Sequence, residues 1–248
     1  MEEQYIVGRN PVLEILKSGR EVEKILVIRG ELKGSINKII GIAKDRNIRI
    51  QQVDKNKLDQ IAQGSSHQGV AALITSYAYF SVDDILKKAE KFEESPFIII
   101  LDGIEDPHNL GAIIRTAECG GVHGIIIPKR RAAHVTPAVY KSSAGAVEHI
   151  MISKVNNISD TIEKLKEKGL WIYGADIDGE EYYFNIDLKG PIALVIGSEG
   201  KGISRLVKEK CDFILKIPML GKVSSLNASN AASILIYEVV KQGYEEKR

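Results

Sequence analysis

Cysteine is almost missing from this chain: Cys119 and Cys211 are the only two in 248 residues. That scarcity excludes a disulfide framework, and their separation matches no metal-ligand spacing. Both are expected to be small buried hydrophobes in a reduced compartment. The single Trp, Trp171, is expected in the core. No apolar run approaches the roughly 20 residues that a membrane span needs. The opening Met1-Glu-Glu-Gln4 lacks the basic and apolar regions of a secretory signal, so a cytoplasmic protein with no membrane partner is expected. Phosphate-loop signatures are lacking too. Neither Gly-x4-Gly-Lys-Ser/Thr nor a Gly-x-Gly-x-x-Gly opening a helix after the first strand occurs, which disfavours a nucleoside-triphosphate enzyme. The 5 His residues show no metal spacing, so no metal is expected. Charge of either sign is nearly balanced, at net +1. Residues 1–76 are mildly basic, with 12 Lys and Arg against 9 Asp and Glu. That is compatible with RNA contact without demonstrating it.

What is present is an alternation of strands and helices. Asn10-Pro11 reads as a cap followed by proline at the first helical position, with Gly19 ending that helix. Strands are predicted at 24–28, 48–53 and 70–75, and helices at 35–46 and just after Asp54. His67-Gln-Gly69 reads as a turn before the third strand. This is a small α/β unit with a mixed or parallel sheet, assigned to residues 1–76. Residues 77–96 change character: aromatic residues precede Ser81-Val-Asp-Asp84, a helix start, and Ser95-Pro96 breaks the charged run that follows. From 97 to 248 the strands are stronger. Ile98–Leu101 is a continuous apolar run, as in a strand buried on both faces. A helix from about Leu110 to Cys119 and strands at 124–127, 150–153, 170–173, 193–196 and 213–217 follow. A helix over 159–168 and a last one over 226–242 complete a pattern that predicts a parallel sheet covered on both faces.

Three stretches each follow a strand, where open parallel sheets collect ligands. The first is Asp102-Gly-Ile-Glu-Asp-Pro-His-Asn-Leu-Gly-Ala-Ile-Ile-Arg115. Asn109 and Arg115 are six apart, roughly 600° around a helix, hence not on one face. Either Asn109 is a plain helix cap and Arg115 a solvated residue, or with Asn109 at the cap both converge above the strand ends. The second is Leu194-Val-Ile-Gly-Ser-Glu-Gly-Lys-Gly-Ile203, where glycines allow close backbone approach to a ligand and surround the lone carboxylate Glu199. The third is Ile217-Pro-Met-Leu-Gly-Lys-Val-Ser-Ser-Leu-Asn-Ala-Ser-Asn-Ala231. One Ser or Asn suffices to cap a helix. Here Ser224, Ser225, Asn227, Ser229 and Asn230 crowd the start, which points to a ligand as well as a cap. Lys129-Arg-Arg131, with His134 and Lys141, is either a solvated basic loop or a phosphate contact.

Taken together and in order, these stretches resemble the SpoU (TrmH) family of RNA ribose 2′-O-methyltransferases, of the SPOUT class, over roughly residues 97–242. The front segment, with Gly8-Arg-Asn-Pro-Val-Leu-Glu14 and His67-Gln-Gly-Val70, is similar to the substrate-binding domain of members that act on a guanosine of 23S ribosomal RNA. The resemblance implies an α/β fold: a small N-terminal RNA-binding domain and a parallel-sheet SPOUT domain whose C-terminal part threads a deep trefoil knot. It implies S-adenosylmethionine as cofactor, 23S rRNA or its precursor as partner, and a homodimer through the knotted domain. Carried over by motif, the catalytic set is Asn109, Arg115, Glu199, Ser225 and Asn227, and the cofactor set is Ile196, Gly197, Ile217, Met219, Leu226 and Ala228. Ala228 and Asn230 stand where the family commonly has valine. Two other readings remain at this point: an enzyme acting on transfer RNA, and a ribosome-associated RNA-binding protein without catalysis.

Overall fold

The computed structural model describes residues 3–30 and 34–246. The chain divides into two compact units, residues 1–78 with 134–149, and residues 79–133 with 150–248.

In the first unit β1 (Glu3–Val7), α1 (Arg9–Lys17), β2 (Val22–Ile28), α2 (Ser35–Asp45), β3 (Arg49–Val53), α3 (Lys55–Ala62) and β4 (Val70–Thr75) succeed one another. The sheet is mixed, in the order β1-β4-β2-β3. β4 runs antiparallel to both β1 and β2, while β2 and β3 are parallel. The continuous apolar run of β4 sits at a central position and is buried along five of its six residues. The start of α1 differs from the sequence reading. Gly8 is the N-cap, at φ 103°, and Arg9 opens the helix, leaving Pro11 at its third residue. All of the first turn lacks an intrahelical N–H partner, so proline is tolerated there as well as at the first position. Asp54 does precede α3, but its side chain makes no capping bond and instead pairs with Arg29 at 3.3 Å.

In the second unit α4 (Val82–Lys91) begins with a reciprocal capping box between Ser81 and Asp84. There follow β5 (Phe97–Asp102), α5 (Pro107–Cys119) and β6 (Gly124–Pro128). The intervening α6 (Pro137–Ser142) belongs to the first unit. The second unit resumes with β7 (Met151–Val155), α7 (Ile158–Glu167), β8 (Trp171–Ala175), β9 (Glu181–Tyr182), β10 (Ile192–Gly197), α8 (Arg205–Lys208), β11 (Phe213–Lys216) and α9 (Ala228–Glu246). Its seven strands are in the order β7-β6-β5-β10-β8-β11-β9, and every pairing is parallel. All carboxyl ends therefore lie along one edge.

The core of this unit follows from the aliphatic strands. Ile98, Ile100, Ile126, Ile172 and Val195 pack with Ile85 of α4 and Ile162 and Leu165 of α7, each such side chain stabilising by about 1.5–3 kcal/mol. α5 packs on α9, where a Cβ on Gly120 would lie 2.6 Å from Ile236 Cγ2 and the hydroxyls of Thr116 and Ser233 are 3.1 Å apart. Trp171 is not in the core. It is 53% exposed, standing at the first position of β8 with its ring 5.9 Å from that of Phe213. Cys119 also departs from expectation, being exposed near the end of α5. Cys211 is half-buried, and burial pushes its thiol up to about 12.

A buried polar cluster holds residues 134–149 within the first unit. Tyr140 of α6 is fully buried and donates its hydroxyl to Glu148 Oε1 at 2.5 Å. The Arg20 guanidinium reaches the same Glu148 oxygen at 2.5 Å and Tyr140 besides, and donates to the Thr75 carbonyl at 2.7 Å. Burial, then the Glu148 carboxylate, push the Tyr140 phenol well above its ordinary value. Tyr140→Phe removes a hydrogen bond to a charged group and should lower stability by about 1.5–3 kcal/mol. Urea unfolding with an unchanged m-value is the check; a variant as stable as the parent would show that the hydroxyl contributes nothing net.

Candidate active site at the carboxyl edge of the parallel sheet

Three loops leave the same edge, after β5, β10 and β11. Proline at the first helical position sets the start of α5: Pro107 opens it, and Asp106 caps it by accepting from His108 N at 3.0 Å. Asn109 is thus not the cap but the third helical residue. It lies about one helical turn inside the position the sequence suggested. The loop after β10 is closed on itself, with Ser198 N to Gly202 O at 3.1 Å and Gly202 N to Ser198 O at 2.9 Å. Gly200 and Gly202 take φ of 81° and 63°, a conformation that favours glycine. This turn carries Glu199 out at its tip. The loop after β11 runs from Ile217 to Asn227, where α9 begins.

The loops meet at Glu199. Its Oε1 accepts from Asn109 Nδ2 at 2.9 Å, from Asn227 Nδ2, and from Ala228 N at 3.4 Å. Asn227 Nδ2 also donates to Asn109 Oδ1 at 3.0 Å. On its other side Asn227 caps α9, its Oδ1 accepting from Ser229 N at 2.9 Å and Ser229 Oγ at 2.5 Å. One asparagine therefore both terminates the helix and ties it to the neighbouring loops. Glu199 Oε2 makes no hydrogen bond among the described residues and remains able to accept from a ligand.

Arg115 joins none of these bonds. It is exposed on α5, about 9 Å along the axis from Asn109, and makes no hydrogen bond or ion pair among the described residues. Ser225 is likewise exposed and outside the network. Of the cofactor set, Ile196 is buried inside β10 and Gly197 ends that strand, in register with Asp102 of β5. Ile217 and Met219 are half-buried, Leu226 is 37% exposed, and Ala228 is buried as the first residue of α9. Two contributors lie outside the catalytic and cofactor sets carried over by motif. Asp102 accepts from Ser204 N at 2.7 Å and so ties the β5 end to the segment before α8; its place at the head of the first stretch was the available signal. Ser229 fixes Asn227; the crowding of small polar residues at this helix start was its signal.

The loop from Pro218 to Leu226 has a composition suited to a nucleoside-like ligand. Among the described residues none of its backbone N–H groups is hydrogen-bonded within the chain. Leu220, Val223 and Leu226 leave apolar surface in solvent beside those free backbone groups. A flat heterocycle needs that combination, apolar walls with a few edge hydrogen bonds. No group of three His, Cys, Asp or Glu side chains among the described residues is placed to hold a metal ion.

The SpoU rRNA Methylase family model matches residues 96–237, which contain all three loops. This chain belongs to that family. A second family, described as RNA 2′-O ribose methyltransferase substrate binding, matches residues 5–80. A Bacillus subtilis protein named as a TrmH family tRNA/rRNA methyltransferase, YacO, is 51% identical over 241 residues, 97% of this chain and 96% of its own. A Staphylococcus aureus protein named as a TrmH family tRNA/rRNA methyltransferase is 48% identical over 245 residues, 99% of this chain and 98% of its own. Among solved structures, the SpoU methyltransferase AviRb from Streptomyces viridochromogenes, in complex with AdoMet, superposes with a TM-score of 0.81 at 26% identity. The superposition covers 98% of this chain and 91% of that one. The chain is an RNA methyltransferase with an N-terminal substrate-binding domain.

Proposed function

We propose that this protein transfers the methyl group of S-adenosylmethionine to the ribose 2′-hydroxyl of a guanosine in 23S rRNA or its precursor, as a cytoplasmic homodimer joined through a knotted C-terminal domain. The observation that carries the reading is the convergence of Asn109 at the start of α5 with Glu199 and Asn227 from the loops after β10 and β11, at one carboxylate oxygen. When bound, the cofactor supplies a methyl group on a positively charged sulfur. The free backbone groups of residues 218–226 and the apolar side chains of Ile217, Met219 and Leu226 hold its adenosine part, and the closed turn after Gly197 borders it. Asn109 and Asn227 fix Glu199, whose free Oε2 orients a donor group of substrate or cofactor. Arg115 binds an RNA phosphate and, still cationic, stabilises the 2′-oxyanion as it develops. Ser225 contacts phosphate as well. Holding two reactants near attack distance contributes about 7–11 kcal/mol to lowering a barrier of this kind, so alignment by these loops is the larger part of the protein's task.

The substrate-binding match over residues 5–80 supports an RNA acceptor, and the relatives' names leave both tRNA and rRNA as its class. Transfer of tritium from labelled S-adenosylmethionine into separated ribosomal and transfer RNA decides the class. Label in 23S rRNA at a guanosine 2′-oxygen is the expected result. Label confined to tRNA would replace the substrate, and label in neither would leave an RNA-binding protein without catalysis.

A further inference from the structure

The loop after β6 has no part in the site just described, yet it is built beside it. Residues 129–131 read Lys-Arg-Arg and all three are exposed. Lys129 N extends the β6–β7 pairing by donating to Val155 O at 2.9 Å. Arg131 takes the left-handed conformation, at φ 55°, and the chain turns so that Ala133 N donates to Ile104 O at 2.7 Å. Ile104 lies in the β5–α5 loop that leads to Asn109 and Arg115. The basic loop is therefore pinned to the loop that leads into the helix bearing those residues, along the edge where all the carboxyl ends lie.

A fourth cation joins it. Lys154 is paired in register with Ile127, one residue before the end of β7, and its ammonium stands 3.8 Å from the centre of the Tyr79 ring. Half-burial, then the neighbouring Lys129 charge, lower its affinity for the proton. None of Lys129, Arg130, Arg131 and Lys154 makes an ion pair among the described residues. Elsewhere on this unit lysines do find carboxylates, as Lys166 finds Asp212 and Lys208 finds Asp176. Like charges gathered without counter-charges cost free energy in the isolated protein, and a polyanion removes that cost.

We propose that Lys129, Arg130, Arg131 and Lys154 form a phosphate-binding ridge that takes the RNA backbone beside the target nucleotide. The ridge occupies the β6 and β7 end of the edge, and the Glu199 cluster sits over β5 and β10. At about 4.8 Å per strand, a few nucleotides of extended RNA link the two. This inference rests on the methyl-transfer reading, because it takes RNA as the partner.

The test uses the full chain and an unstructured oligoribonucleotide as probe. In the triple variant Lys129→Gln, Arg130→Gln, Lys154→Gln, the slope of log affinity against log salt should shrink by about 2, at about 0.7 for each phosphate left without its cation. The KM for ribosomal RNA should rise while kcat stays within about twofold, the pattern expected when binding shared by ground and transition states is removed. S-adenosylmethionine affinity should be unchanged. A control triple, Lys87→Gln, Lys164→Gln, Lys189→Gln, removes the same charge from exposed positions and should leave the slope alone. An unchanged slope in the first triple, or an equal loss in the control, overturns the ridge while methyl transfer by the parent protein stands. Absence of methyl transfer to any RNA by the parent protein, with the slope still falling only in the first triple, overturns the catalytic reading and keeps the ridge.

Discussion

Gly197→Ala should abolish cofactor binding at micromolar concentrations and cut methyl transfer by about 100-fold or more. A Cβ built on Gly197 lies 2.1 Å from Gly202 C and 2.3 Å from both Gly202 O and Ile203 N. These are backbone atoms, so no side-chain rotation relieves the clash. The Ser198–Gly202 turn is held by two mutual backbone hydrogen bonds and must open to admit a methyl group. Overpacking of this sort costs about 1–3 kcal/mol, and here the displaced element carries Glu199. Once that carboxylate moves, Asn109 and Asn227 lose their shared acceptor and the three loops lose their common point. Thermal unfolding and calorimetric titration with S-adenosylmethionine separate the two effects. A variant that melts lower but binds with parental affinity would show that the turn does not shape the cofactor site.

The elements that the sequence announced are those whose signals are local. β4 matches its apolar run to the residue, and α4 starts where Ser81 and Asp84 form their capping box. β1 and β9 carried no such signal. β9 has two exposed residues and exists only because Glu181 and Tyr182 pair with Leu215 and Lys216. Trp171 looked like core because tryptophan usually is, yet a residue at the first position of a strand can project past the packed layers. Residues 134–149 join the first unit through pairings such as Arg20 with Tyr140 and Glu148, 120 and 128 positions away. Polar pairs so remote leave no periodicity to read.

The candidate site was legible in part, for a related reason. Asn109, Glu199 and Asn227 stood out as polar residues following strands, and a parallel sheet puts such positions on one edge. That they share one oxygen, across separations of 90 and 28 residues, is a property of the folded chain alone. The displacement of Asn109 from cap to third helical position alters its role. A capping asparagine gives its Oδ1 to its own helix, whereas at the third position Asn109 keeps Oδ1 for Asn227 while Nδ2 reaches Glu199.

Arg115→Lys should lower the methyl-transfer rate by about 100- to 1,000-fold, the cost typical of removing one donor from a developing oxyanion, and should add no new ionisation to the pH–rate profile. An arginine side chain stays protonated in proteins, and a general base works best with a pKa near the working pH. The structure leaves Arg115 exposed, with no carboxylate partner among the described residues. A guanidinium so placed can engage a phosphate in bidentate fashion, which an ammonium cannot reproduce. Lysine therefore keeps the charge and loses the geometry. If Arg115 instead removes the 2′-hydroxyl proton, lysine is the better base, and the variant's activity would climb as pH approaches the lysine range near ~10.4. That climb would overturn the electrostatic role. A flat profile, with a rate between those of the parent and Arg115→Ala, supports it.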